Sequence, residues 1–268
     1  MSLSVDPTTG DPVHYPKRRD VFEFDEEVSK IFDNMAERSI PMYAEMHNVH
    51  AALVHDYIHR SKEELSYAHP ISIMDIGAST TTFIDNICNR LQKSKELTED
   101  PIAYLDITCL DTSKDMLDGI RSRIPWVNTI VGDILELNLE MNSLDVINMT
   151  YLLQFIKDPI QKQRILSKCH DALRPGGMLF LGQKDGVDNQ SMPRMERVTS
   201  VFNAEYIEFR KDNGYSEHEI RAKTEALKQA MFPISYEHLY LDLRMVGFDR
   251  IAPTVRWLQF NACVCVKN

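Results

Sequence analysis

At 268 residues with 43% hydrophobic residues, the chain can bury one sizeable core but is short for two full domains, so one main domain with attachments is expected. A formal charge of −10, with no Lys/Arg run longer than Lys17-Arg18-Arg19, argues against tight binding to nucleic acid, which normally needs a basic face to release phosphate counterions. No apolar run approaches the roughly 18 residues needed to span a bilayer, and the polar start lacks the apolar stretch of a secretion signal, so a cytoplasmic protein with a small-molecule substrate and no membrane partner is expected.

The first 21 residues carry three prolines and no apolar period, and read as a flexible lead. Residues 22–70 then hold two amphipathic helical stripes, Val28, Ile31, Phe32 and Met35, followed after Ser39-Ile40-Pro41 by Met46, Val49, Leu53 and Tyr57. Preceding the first strand, these helices are candidates for a cover over whatever that strand's end binds.

From Ile71 a regular alternation begins: strand Ile71–Gly77, helix Thr80–Gln92, strand Leu105–Leu110, helix Ser113–Ile124, short strand Val127–Val131, strand Leu144–Met149 and helix Pro159–Leu173. The turn Arg174-Pro-Gly-Gly177 leads into the strand Met178–Leu181. Parallel neighbours need crossovers, so this order predicts an α/β, Rossmann-like, doubly wound sheet, seven-stranded and mostly parallel, over residues 71–268. The alternation stops for a helical insertion at about 190–232, with patterns at Pro193–Lys211 and Ser216–Met231, and resumes with Tyr236–Val246, a strand near Ile251 and a strand Trp257–Val266. Such insertions commonly build the substrate pocket at the carboxyl ends of the strands. The cysteines form no CxxC pair, and Cys263 and Cys265, at i and i+2, read as one face of a strand, so no metal is expected.

The sharpest local feature is Asp75-Ile-Gly-Ala-Ser-Thr-Thr81, a glycine turn between the first strand and a helix, where backbone approaches a ligand closely and N–H groups stand unpaired. Only Gly77 of a three-glycine fingerprint is present, with small residues at Ser79 and Thr81. The second strand ends at Asp111, suited to accept both ribose hydroxyls of an adenosine cofactor, nicotinamide cofactors included. The third ends in Val131-Gly-Asp-Ile134, an Asp-hydrophobic pair that can bind the adenine amino group and pack its ring, which tilts the reading toward S-adenosylmethionine (SAM). The order of these features resembles SAM-dependent class I methyltransferases.

A narrower resemblance runs from about Phe22 to the C-terminus, to the carboxy-S-adenosylmethionine synthases that serve tRNA wobble uridine modification. It is carried by Phe24-Asp-Glu-Glu-Val, Ile31-Phe-Asp-Asn-Met, Arg38-Ser-Ile-Pro41 with Tyr43, Leu153-Gln-Phe155, Asn213-Gly-Tyr-Ser-Glu217 with Glu219-Ile220, Gly247-Phe248 and Trp257-Leu-Gln259 with Phe260-Asn261. The resemblance implies cofactor contacts at Tyr43, Gly77, Ala78, Ser79, Asp111, Thr112, Asp133 and Ile134, to which Asp75 and Thr150 at strand ends are added, and it suggests a homodimer.

Two positions depart from the family's pattern. Thr150 stands where the resemblance implies an asparagine, and Thr224 where it implies the arginine that clasps the carboxylate of carboxy-SAM. Threonine supplies neither the charge nor the planar fork of an arginine, and Arg221 and Lys223 point elsewhere around a helix unless the register shifts to bring in Arg221. This favours ordinary SAM as a methyl donor to a small-molecule acceptor over carboxy-SAM synthesis from SAM and prephenate, with a non-catalytic SAM-binding subunit as a third reading and a nicotinamide dehydrogenase a distant fourth. If the acceptor must lose a proton, Tyr215 and His218 are the expected catalytic residues, with Tyr43 and Glu217 as further candidates near the pocket. Trp257, Phe260 and Tyr240 read as core or subunit-contact residues.

Overall fold

The structure is a computed structural model that describes residues 26–65, 70–93, 104–186 and 196–268. The lead over 1–21 and the start of structure at Phe22 lie outside the described residues, as does the motif position Phe24. Helices α1 (Glu26–Ser39) and α2 (Tyr43–Leu65) precede the alternating units β1 (Ile71–Ile76), α3 (Thr82–Lys93), β2 (Leu105–Asp111), α4 (Lys114–Arg123), β3 (Asn128–Val131), β4 (Leu144–Thr150), α5 (Pro159–Ala172) and β5 (Leu173–Lys184). Next come α6 (Glu196–Asp212), α7 (Glu217–Ala230), α8 (Tyr236–Met245), β6 (Arg250–Trp257) and β7 (Phe260–Val266).

The strands form one sheet in the order β3-β2-β1-β4-β5-β7-β6. All neighbours pair in parallel up to β5, and β7 runs antiparallel to both β5 and β6. This is the Rossmann-like, seven-stranded, mostly parallel sheet expected from the alternation. The period-2 pleat divides the core: Ile73, Val146 and Phe180 point to the face covered by α2, α3 and α4, and their neighbours Met74, Ile147 and Leu179 to the face covered by α5 and α8. Cys263 and Cys265 share that second face.

Helix starts follow local chemistry. Ser113, Asp158 and Ser235 accept backbone N–H bonds at the N-termini of α4, α5 and α8, and Pro159 occupies the first turn of α5. In α7 the reciprocal cap joins Ser216 to Glu219, while Glu217 instead pairs with Arg221 at 3.1 Å.

Two boundaries differ from the sequence reading. The Arg174-Pro-Gly-Gly177 turn falls within β5, which pairs with β4 from Leu173 and shifts register before Met178. The turn is held by buried Asp145, whose carboxylate accepts from Arg174 Nη1 at 2.5 Å, from the Ser72 N–H at 2.8 Å and from the Tyr57 hydroxyl at 3.1 Å. Trp257 ends β6 instead of opening β7, because Leu258, at φ 49°, and Gln259 form a two-residue hairpin turn, and such turns demand positive φ.

No described helix is long and apolar enough to cross a membrane.

Candidate active site

The carboxyl ends of β1 to β5, together with α1, α2, α6 and α7, enclose a cleft of about 2100 Å³. β1 runs into Gly77, whose φ of 70° is easy only for glycine and whose N–H donates to the Leu110 carbonyl at 2.8 Å. A Cβ there would sit 2.6 Å from Leu152 Cδ1. Ser79 and Thr81 also adopt left-handed φ, 47° and 61°, so the loop keeps a glycine-rich path with one glycine, at about 1 to 2 kcal/mol of strain per substituted position.

Asp111 organises this turn. Its Oδ2 accepts from the Ser79 N–H at 2.9 Å and its Oδ1 from the Ser113 N–H at 2.8 Å, locking the end of β2 to the loop after β1. Burial raises its pKa, against the pull of those backbone hydrogen bonds. Asp75 lies deeper, taking a 2.7 Å bond from Asn148 Nδ2 and a 3.1 Å bond from the Thr81 hydroxyl, and burial pushes its pKa up to about 6. Asp133 Oδ1 accepts from the Leu135 N–H at 2.8 Å. The structure brings all ten residues singled out as cofactor contacts to the wall of this one cleft: Tyr43, Asp75, Gly77, Ala78, Ser79, Asp111, Thr112, Asp133, Ile134 and Thr150.

The remaining wall is different in kind. Lys184 at the end of β5, Arg210 on α6 and Lys223 on α7 face the cleft with Tyr206, Gln259 and Phe260. The Lys223 ammonium is buried, donating to Ser39 Oγ at 2.9 Å and the Tyr215 hydroxyl at 3.4 Å. Burial, then the charges of Arg210 and Arg38, bring its pKa down to about 7; burial and Arg210 bring Lys184 to about 8. His218 lines the same cleft as an exposed side chain. Tyr215 does not: it is 4% exposed, packs beneath the Arg38 guanidinium at 4.5 Å and donates to the Met35 carbonyl at 3.4 Å. Phe260, read as core or subunit contact, is buried and also faces the cleft, whereas Tyr240 is exposed on α8.

Comparison with known proteins gives this arrangement a family. A family model described as "Methyltransferase domain" matches residues 88–181. The carboxy-S-adenosyl-L-methionine synthase of Trichodesmium erythraeum (strain IMS101) is 32% identical over 252 residues, covering 92% of this chain and 89% of that one. That of Desulfotalea psychrophila (strain LSv54 / DSM 12343) is 30% identical over 252 residues, covering 92% of both chains. The chain belongs to the carboxy-S-adenosyl-L-methionine synthase family. Its fold is that of the class I methyltransferases, shared with the CurJ carbon methyltransferase at a TM-score of 0.52 and 15% identity, over 81% of this chain and 53% of that one. It is a SAM-dependent transferase.

The residues present fit that cofactor. Asn148 Oδ1 is buried without a donor, and Asp111 keeps lone pairs beyond its two backbone partners, so the wall accepts hydrogen bonds from the hydroxyl and ammonium groups of an adenosyl amino acid.

Both departures from the family's pattern take the same form. At Thr150, the hydroxyl receives a 3.3 Å bond from Asn148, an asparagine two residues earlier on β4. At Thr224, the hydroxyl receives a 3.3 Å bond from Arg210 Nη1, an arginine reaching across from α6. Arg221 is a rim residue instead, its side chain 79% exposed and paired with Glu217. Arg210, Lys184 and Asn148 carry no motif in the sequence, and Gln259 stands there only within Trp257-Leu-Gln259; the available signal is Tyr206 and Arg210 at i and i+4 on one face of α6.

Proposed function

We propose that this protein transfers a one-carbon group between SAM, held over the ends of β1 to β4, and a small molecule held beneath α6 and α7. The carrying observation is that every residue expected to hold the cofactor lines one half of a cleft whose other half is walled by the helical insertion. When bound, SAM supplies an electrophilic carbon activated by its sulfonium. The main chain at Gly77–Ser79 and the Asp111 carboxylate hold the cofactor's polar groups, Asp133 and Ile134 read its base, and Tyr43 on α2 closes over it. The apolar walls exclude water and position the second substrate, which is most of what an in-line transfer requires. His218 is the candidate to accept a proton from an acceptor that carries one. Tyr215, beneath Lys223, positions that ammonium. The exposed apolar residues Leu241 and Met245, one turn apart on α8, support the expected homodimer, to be checked by light scattering.

Two chemistries use such a cleft. Thr224, in place of the carboxylate-clasping arginine, supports methyl transfer to a small-molecule acceptor. The second, carboxy-SAM synthesis, is favoured by the names of the relatives and by Arg210 meeting Thr224. Mass spectrometry of the nucleoside that co-purifies decides: SAM or its demethylated product supports the first, carboxy-SAM the second. Failure to bind any adenosyl amino acid overturns both.

A further inference from the structure

The residues read as contacts to the cofactor's base sit where regular structure gives out. β3 ends at Val131 and β4 begins at Leu144, and no helix or strand sets the path between them. The Gly132 N–H donates to the Asp111 carbonyl at 2.9 Å, which ties the first residue of this loop to β2. Beyond it, two charged groups hold the chain. Asp133 gathers N–H groups: its Oδ1 takes that of Leu135 at 2.8 Å, and its main-chain carbonyl takes those of Glu136 at 3.0 Å and Leu137 at 3.1 Å. Lys168, near the end of α5, gathers carbonyls: its ammonium donates to those of Ile134 at 3.0 Å, Leu137 at 3.1 Å, and Leu135.

The division of labour is reciprocal. Leu135 and Leu137 are each held at both ends, N–H by Asp133 and carbonyl by Lys168. An ammonium has three N–H donors, and here all three go to one stretch of main chain 31 to 34 residues earlier in sequence. Bonds to a charged donor are about twice as strong as neutral ones, so this is the firmest tie between the loop and the body of the domain. The side chains of Leu135, Leu137 and Leu139 pack on the same core cluster as Ile165, Leu166 and Cys169 of α5, which seats the back of the loop on that helix. Its front, Asp133 and Ile134, faces the cleft, whereas Lys168 is not part of the cleft wall.

We infer that Lys168 is a positioning residue that fixes Asp133 and Ile134 for a 6-aminopurine and thereby sets the base preference of the cofactor pocket; this rests on reading those two residues as base contacts. With Oδ1 engaged in the turn, Asp133 offers Oδ2 to an exocyclic amino group. A 6-oxopurine presents an acceptor at the same place and meets the carboxylate with repulsion. The discrimination therefore depends on where one oxygen is held, and the bonds that hold it run through Leu135 and Leu137 to Lys168.

The test compares S-adenosylhomocysteine with S-inosylhomocysteine, which differs only at the base, by titration calorimetry on the full chain. The natural protein is expected to prefer the adenosyl ligand at least tenfold. Lys168→Met should weaken S-adenosylhomocysteine about tenfold and S-inosylhomocysteine by less than threefold, because the inosyl ligand has no bond to Asp133 to lose. Lys168→Arg, which keeps charged donors, should restore most of the preference. If Lys168→Met does not fold, Lys168→Gln, which keeps two donors without the charge, should move the ratio in the same direction by a smaller factor. A purely structural role would lower both affinities together; an unchanged ratio in a folded variant therefore overturns the inference. No preference in the natural protein would instead sink the reading of Asp133 as a base contact, and binding of neither ligand would sink the SAM site itself; the inference falls with either.

Discussion

The two halves of the cleft meet their electrostatic needs in opposite ways. Over β1 to β4 the charges are carboxylates that already hold donors, backbone N–H groups of the adjoining turns for Asp111 and Asp133 and the Asn148 and Thr81 side chains for Asp75. Under α6 and α7 three cations from separate elements share the wall with Asp185 and Glu225, and among the described residues those cations bond neutral hydroxyls or make no hydrogen bond. A half built on main chain at strand ends is fixed before any ligand arrives. A half built on long side chains keeps buried groups without a protein partner, Arg210 Nε and Gln259 Oε1 among them.

The most direct way to break this comparison is Asp111→Asn, which removes the charge and turns a donor toward either Ser79 N–H or Ser113 N–H. S-adenosylhomocysteine affinity, measured by titration calorimetry, should fall about 30- to 100-fold, roughly 2 to 3 kcal/mol; a change below threefold would mean the acids are not the fixed half. Lys223→Met tests the other side. The folded-state pKa of Lys223, about 7, lies below its ordinary value of 10.5, so the folded protein carries fewer protons than the unfolded chain between those values. The lysine's destabilising contribution is thus fully present below about pH 7 and fades as pH rises to about 10.5. Lys223→Met should raise stability by roughly 1 to 3 kcal/mol at pH 6 and flatten the rise between pH 7 and 10, read by urea denaturation.

Smaller effects sharpen the account of the turn. Gly77→Ala forces a methyl into a left-handed residue against Leu152 and should cost about 1 to 2 kcal/mol of stability, with thermal unfolding as the readout. Ser79→Gly relieves left-handed strain while keeping the N–H that Asp111 accepts, and should stabilise by about 0.5 kcal/mol with cofactor affinity within twofold. A loss from Ser79→Gly would mean that its hydroxyl is in use.

The same division governs what the sequence could reveal. Strand ends are one-dimensional features: the alternation locates β1 and β2, and the positions of Gly77, Asp111 and Asp133 follow from where each strand stops. The cationic half depends on tertiary meetings, such as Arg210 with Thr224, and no periodicity records which face of α6 turns to α7. Reading position 224 alone therefore misses Arg210, whose Nη1 reaches the Thr224 hydroxyl from 14 residues upstream. The hairpin at Leu258-Gln259 was hidden for a related reason. Leu258 is not a usual positive-φ former, so the pattern reads as one strand Trp257–Val266 running through the turn that presents Gln259 to the cleft.

The cations of the inner wall lie within a chain whose formal charge is −10. An anion diffusing toward the cleft first meets the repulsion of that excess, and meets attraction only within about a Debye length of the mouth, roughly 8 to 10 Å at physiological ionic strength. Ordinary salt should therefore speed its entry by screening the outer field, while weakening the contacts inside much less. The association rate of an anionic ligand is thus expected to rise with ionic strength, opposite in sign to what a positive inner wall alone would give.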